Sequence, residues 1–139
     1  ASGGCPHCAA FGTPGLKVID AGVLVELIAS DLDPDVCGGE ELAIPHLADT
    51  EVLSALRALV GRGDLTAHQG SEAVDLYGQL ALVRFPAENL RSRIWALRHN
   101  LSAYDATYVA LAELLGVNLL TTDARIAAAP STECVIELV

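Results

Sequence analysis

Short runs of nearly unbroken apolar residues recur along this chain, and each is set apart from the next by a stretch with helical patterning. The runs are Lys17-Val-Ile-Asp20, Leu42-Ala-Ile-Pro45, Leu82-Val-Arg-Phe85, Val117-Asn-Leu-Leu120 and residues 134–138. A strand with one wet face alternates apolar and polar residues, whereas a strand buried on both faces does not. Strands of the second kind, alternating with helices, predict an α/β fold in which helices flank a central, mostly parallel sheet in three layers. Hydrophobic residues make up 52% of the chain and charged residues 19%, which excludes a disordered polymer. Aromatic residues are only 4% and Met is absent, so the core is predicted to be packed from small aliphatic side chains.

The predicted helices run over 22–30, about 46–60, about 66–80, 87–99, 103–115 and 123–128. Residues 31–41 read as an acidic loop rich in Gly and Pro. Gly61-Arg-Gly63 and Gly116 stop the helices before them, and Ser102 caps the helix that follows it, with Asp105 three residues on. At 139 residues the chain holds one domain, expected over 16–139. Residues 1–15, opening Ala-Ser-Gly-Gly without Met, read as a disordered leader or an expression remnant. Cys5-Pro-His-Cys8 within it is half of a zinc or redox motif. A closed zinc site needs four ligands, and no second such pair follows. Cys37 and Cys134 stand alone, as expected of free thiols in a reducing cytoplasm. No apolar run approaches about 18 residues and no secretory pattern is present, so no membrane span is expected.

Carboxylates in unusual places carry the functional signal. Val18-Ile19-Asp20 and Leu119-Leu120-Thr-Thr-Asp123 are strands that end in an acid. Ligands of parallel α/β sheets bind at the carboxyl ends of the strands, so two parallel neighbours would bring Asp20 and Asp123 to one edge. Each acid equally suits the cap of the helix after it. On the helix from about 46, Glu51 falls between Ala55 and Ala58, on the apolar side, while Thr50, Ser54 and Arg57 share the wet face. An unpaired carboxylate there is costly unless a salt bridge or a metal compensates. Asp49 also falls in the apolar arc, but in the first turn, where the helix dipole favours an acid. Asp105 opens a helix that is apolar nearly all round, and Ser102 already supplies its cap. If Asp20, Glu51, Asp105 and Asp123 converge, their repulsion calls for a cation. An all-oxygen anionic site suits Mg2+ or Mn2+, the ions with which many enzymes cut phosphodiesters.

These residues resemble those of PIN-domain proteins, in particular the VapC-type toxins of bacterial toxin–antitoxin pairs. The resemblance rests on Val18-Ile-Asp20-Ala-Gly-Val-Leu-Val, Pro45-His-Leu-Ala-Asp-Thr-Glu51-Val-Leu-Ser-Ala-Leu, Leu101-Ser-Ala-Tyr-Asp105-Ala-Thr-Tyr-Val-Ala-Leu-Ala and Leu119-Leu-Thr-Thr-Asp123, and it spans residues 16–139. It implies a PIN-like fold and a Mg2+- or Mn2+-dependent endoribonuclease in which a metal-activated water hydrolyses RNA. Asp20 and Asp105 would be direct metal ligands. Glu51 and Asp123 would complete the site directly or through water, with Thr122 offering a hydroxyl. It also implies a homodimer and a cognate antitoxin, whose basic residue could compete with metal for the acids. One departure stands out: the family often carries Ser or Thr just after the first Asp, where this chain has Ala21 and Gly22.

The formal charge of −10 makes non-specific nucleic-acid binding poor, because phosphate contacts need Lys and Arg. Residues 84–99 are the one clearly basic stretch. Arg91, Arg93 and Arg98 there could hold an RNA backbone, could line a solvated helix face, or could pair with acids. Tyr104, Tyr108 and Trp95 could stack on bases, but their helical spacing within apolar segments predicts core packing. His46, His68 and His99 read as surface residues. The rival readings are a catalytically silent PIN-like module binding RNA or protein, and a different metal-dependent phosphoesterase. The first would have lost an acid, and all four are present. The second often shows two strand-end aspartates one residue apart, and Asp20-Ala-Gly lacks the second. A Ser hydrolase and a dinucleotide or P-loop fold lack their glycine motifs.

Overall fold

A computed structural model describes residues 15–139, and the expectations for Cys5, His7, Cys8 and the rest of the first 14 residues lie outside the described residues. The elements in chain order are β1 (Leu16–Ile19), α1 (Ala21–Ala29), a 3-10 turn (Pro34–Cys37), β2 (Glu41–Pro45), α2 (Leu47–Gly61), α3 (Ala67–Gln79), β3 (Leu82–Phe85), α4 (Arg91–Ala96), α5 (Ala103–Leu115), β4 (Asn118–Thr121), α6 (Ala124–Ala127) and β5 (Ile136–Leu138). The five strands form one sheet in the order β3-β2-β1-β4-β5, and every pairing is parallel. Val18 and Ile19 of β1 and Leu119 and Leu120 of β4 are all completely buried. Adjacent residues on a strand point to opposite faces, so both faces of the sheet's centre are covered, as the unbroken apolar runs require. Helices α1, α2 and α3 pack on one another, while α5 packs across β1, β2 and β4.

Local chemistry explains most boundaries. Thr66 and Gln69 form a reciprocal capping box at the start of α3. Ser102 Oγ accepts from the Asp105 amide at the start of α5. Gly116 closes α5 in the left-handed region, at φ 68°. α5 is buried over seven consecutive residues, Ala106 to Ala112, as its apolar circumference predicts. Among the described residues, Cys37 and Cys134 form no disulfide. No described helix is long and apolar enough to cross a membrane.

The helix expected over 87–99 is cut to six residues, 91–96. No side chain caps its start at Leu90, and Leu90, Leu97 and Leu101 are all buried. The Leu97 carbonyl accepts from the amides of both Asn100 and Leu101. The chain therefore turns at Leu97 to seat the third leucine rather than carry the helix onward.

Asp49 takes the structural role its first-turn position predicted. Its Oδ1 accepts from the Tyr77 hydroxyl of α3 at 2.7 Å and from Arg84 Nη2 of β3 at 2.9 Å, and its Oδ2 accepts from Arg84 Nε at 2.8 Å. The Arg84 guanidinium holds this carboxyl below its ordinary range. Its contribution is thus present above the ordinary carboxylate pKa and lost as pH falls through that range. Asp49→Ala should cost roughly 1–2 kcal/mol, read as a lower urea midpoint at neutral pH, and the deficit should shrink on acidification.

Candidate functional site

Register decides where the acids go. β1 and β4 pair with Ile19 opposite Leu120, and the Asp20 amide continues the ladder by donating to the Leu120 carbonyl. Asp20 therefore stands beside Thr121 at the carboxyl edge of the sheet. Asp123 follows two residues later at the same edge. α2 delivers Glu51 and the first turn of α5 delivers Asp105, and all four acids line one cleft of about 200 Å3 together with Gly22, Tyr108 and Thr122.

Each acid has its own surroundings. Asp20 is 7% exposed. Its Oδ1 accepts from the Val23 amide at 3.0 Å, capping α1, and its Oδ2 accepts from the Thr121 hydroxyl at 2.5 Å. The cap reading and the site reading of this residue thus hold together, one oxygen serving each. Burial pushes its carboxyl above the ordinary range, and the charges of Asp105 and Asp123 add to the rise against the lowering by Thr121 and Val23. Glu51 is half-buried, and its Oε1 accepts from the Tyr108 hydroxyl at 2.5 Å. Burial lifts this acid too, with Asp105 and Asp20 adding to the lift. Asp105 has no hydrogen-bond partner for its carboxylate among the described residues. Asp123 caps α6 through the Arg125 amide and binds the Arg125 guanidinium at 2.7 and 3.1 Å, which holds it below the ordinary range.

The acids border one space and feel one another's charge. Among the described residues, however, no three His, Cys, Asp or Glu stand grouped as formed metal ligands. Glu51 leans to Tyr108 and Asp123 to Arg125. The donor set is all oxygen, two of its members are held toward neutrality by burial and mutual repulsion, and a third is unpartnered. Oxygen donors of this kind are those a hard divalent cation takes.

Two hydroxyls that hold the acids are not evident in the sequence reading. Tyr108 is 2% exposed, so core packing describes its ring, but its hydroxyl secures Glu51. Its position three residues after Asp105 puts both on one helix face, which was the available signal. Thr121, fully buried, donates to Asp20 and accepts from the Asp123 amide at 2.9 Å. From the sequence alone, Thr122 is the residue singled out instead. Thr122 also lines the cleft, and it explains Gly22. A Cβ at position 22 would lie 2.8 Å from Thr122 Oγ1 and 3.4 Å from Asp20 Oδ1. The hydroxyl missing after Asp20 is matched by one on the opposite wall, and the glycine makes room for it.

The basic stretch divides. Arg93 binds Glu113 at 2.6 and 3.2 Å and the Ser131 carbonyl at 2.6 Å, which takes it out of the set free to hold RNA. Arg91 and Arg98 are exposed. Trp95 and Tyr104, predicted to be core, are 68% and 64% exposed. The six-residue α4 presents Trp95 to solvent, and Tyr104 sits in the first turn of α5, ahead of the buried stretch that starts at Ala106. His46, His68 and His99 are exposed as expected.

Comparison with known proteins finds that the PIN domain matches residues 17–131. Ribonuclease VapC9 of Mycobacterium tuberculosis (strain ATCC 25618 / H37Rv) is 41% identical over 123 residues, covering 88% of this chain and 97% of that protein. Among solved structures, PAE2754 from Pyrobaculum aerophilum superposes with a TM-score of 0.67 at 26% identity, covering 88% of this chain and 83% of the other. VapBC2 from Rickettsia felis, crystallised with a DNA fragment from its promoter, has a TM-score of 0.65 at 12% identity, covering 88% and 98%; at that identity it speaks to the fold alone.

Because Asp20 and Glu51 hold protons to higher pH in the folded chain, the native state binds more protons than the unfolded one just above the ordinary carboxylate range. Stability contributed by these two acids therefore falls as pH rises through that window. Asp20→Asn, which keeps the α1 cap, should raise the Tm of the metal-free protein by a few degrees at pH 7.5, with the gain shrinking on acidification. A thermal melt series in chelator from pH 4.5 to 8 reads this, and a lower Tm throughout would assign Asp20 a purely structural role.

Proposed function

The chain belongs to the PIN-domain family, and from that premise we propose that it is a VapC-type endoribonuclease, the toxin of a type II toxin–antitoxin pair. The observation that supports this most directly is the cleft where acids from β1, α2, α5 and the end of β4 meet. The relative it matches over nearly all of that protein's length is itself named a ribonuclease.

In this reading Asp20 and Asp105 would hold a Mg2+ or Mn2+ ion directly, and Glu51 and Asp123 would complete the site directly or through water. A divalent cation supplies the acidified water and the positive charge that phosphodiester hydrolysis needs. The chain's own groups do the rest. Asp20 is fixed by Thr121 and by the α1 amide, so it meets an ion in one orientation. Tyr108 engages Glu51 Oε1, which leaves Oε2 free to take up a proton on the cleft side. Thr122 supports the site with its hydroxyl, and Gly22 leaves substrate and hydroxyl the space. No histidine is needed.

The substrate is RNA, gathered by Arg91 and Arg98 rather than by the whole acidic surface. The working form is a cytoplasmic homodimer held silent by a cognate antitoxin, which an acidic cleft invites to insert a basic side chain.

Asp105→Asn removes the unpartnered acid and should abolish cleavage of total cellular RNA in Mg2+ or Mn2+, at least about 100-fold, with the far-UV spectrum unchanged. Wild-type cleavage should stop on chelation and return with added metal. Retained cleavage by Asp105→Asn, or chelator-insensitive turnover, would overturn the proposal. Tyr108→Phe should lower kcat more than it raises KM, and its effect should vanish in a Glu51→Gln background, since the phenol acts through that carboxylate.

A further inference from the structure

Most cations of this chain are spoken for. Of eight Lys and Arg, Lys17, Arg62, Arg84, Arg93 and Arg125 have carboxylate partners. Among the described residues, only Arg57, Arg91 and Arg98 have none. Arg91 begins α4 and Arg98 follows its end, so two of the three bracket Trp95 on one short element. The Arg98 guanidinium lies over the indole at 4.6 Å from its centroid and donates to the Trp95 carbonyl at 2.9 Å. Even with that cover the ring is 68% exposed. Around it, Arg91, Ser92, Arg98, His99 and Asn100 are also exposed. Trp95 is therefore a lone large apolar ring in a polar, positively charged setting on a protein of charge −10.

That setting suits a polyanion with aromatic rings better than an apolar protein face. A base stacks on an indole whatever its identity, and guanidiniums beside it meet the phosphates. Stacking of this kind needs unpaired, splayed bases, so the strand must be single. The place is also right. α4 packs against α5, whose first turn carries Tyr104, 64% exposed, and then Asp105 in the cleft. Asp105 lies seven positions after Arg98, a reach of at most about 25 Å even if fully extended. We propose that Trp95, flanked by Arg98 and Arg91, is a docking platform for a single-stranded segment of the RNA substrate. The proposal rests on the endoribonuclease reading, which it extends from the cut bond to the strand beside it.

Trp95 is the chain's one tryptophan, so its fluorescence reports on this surface alone. Titrating the full chain, in chelator to prevent cleavage, with a short unstructured oligoribonucleotide should give saturable quenching, and the matching duplex should give much less. By polarisation of a labelled oligoribonucleotide, Trp95→Ala should weaken binding about tenfold or more, and Trp95→Phe should restore part of it. Arg98→Ala should weaken binding and flatten the slope of log K against log salt by about 0.7. In cleavage assays with metal, the Trp95→Ala loss should fall in KM rather than kcat. Binding without quenching, or a Trp95→Ala variant with wild-type affinity and KM, would overturn the platform while leaving the nuclease intact. Saturable quenching by a wild type that cuts nothing in total cellular RNA with Mg2+ or Mn2+ would overturn the nuclease reading and leave the platform. If Trp95→Ala instead converts a dimer to a monomer by light scattering, the ring belongs to an interface between copies and the proposal falls.

Discussion

Everything at the site depends on one pairing, that of β1 with β4. Its register sets Ile19 against Leu120, and from there the chain has no choice about neighbours: Asp20 meets Thr121, and Asp123 follows at the same edge. The pairing is held by completely buried aliphatic residues on both faces, so a slip by one residue would invert every side chain in the centre of the sheet. The chemistry of the cleft thus rests on packing that has no chemistry of its own.

Gathering acids at one edge is unfavourable, and the chain offsets it in two ways. Where the acids are buried, neutral hydroxyls do the work: Thr121 for Asp20 and Tyr108 for Glu51. A hydroxyl stabilises the charged form without cancelling the charge, so the carboxylate is steadied and still able to meet a cation. Where an acid lies further out, a guanidinium takes over: Arg125 for Asp123, just as Arg84 does for Asp49 outside the cleft. The two buried acids are raised and the two outer ones lowered. The ease of protonation is therefore graded across a small region, in step with burial.

Much of this was legible in the residues. Strand-terminal acids after unbroken apolar runs located Asp20 and Asp123, and a helical wheel located Glu51, because composition and periodicity are local properties of the chain. The all-apolar helix likewise announced its own burial. The hydroxyl partners were not legible, since Thr121 matters only through a register that forms between residues about a hundred positions apart. The short α4 was hidden for a related reason: its end is set by where Leu97 and Leu101 find space, not by a capping residue. Trp95 was misplaced for a simpler reason: Leu90, Ile94 and Leu97 take the inward face of this segment, which leaves the indole on the side turned to solvent.

The contact between Gly22 and Thr122 ties two distant positions into one unit. Bulk gained on the α1 wall presses on the loop after β4, since one small space serves both. A residue larger than glycine at 22 would turn the Thr122 hydroxyl aside, and a smaller residue at 122 would open room at 22.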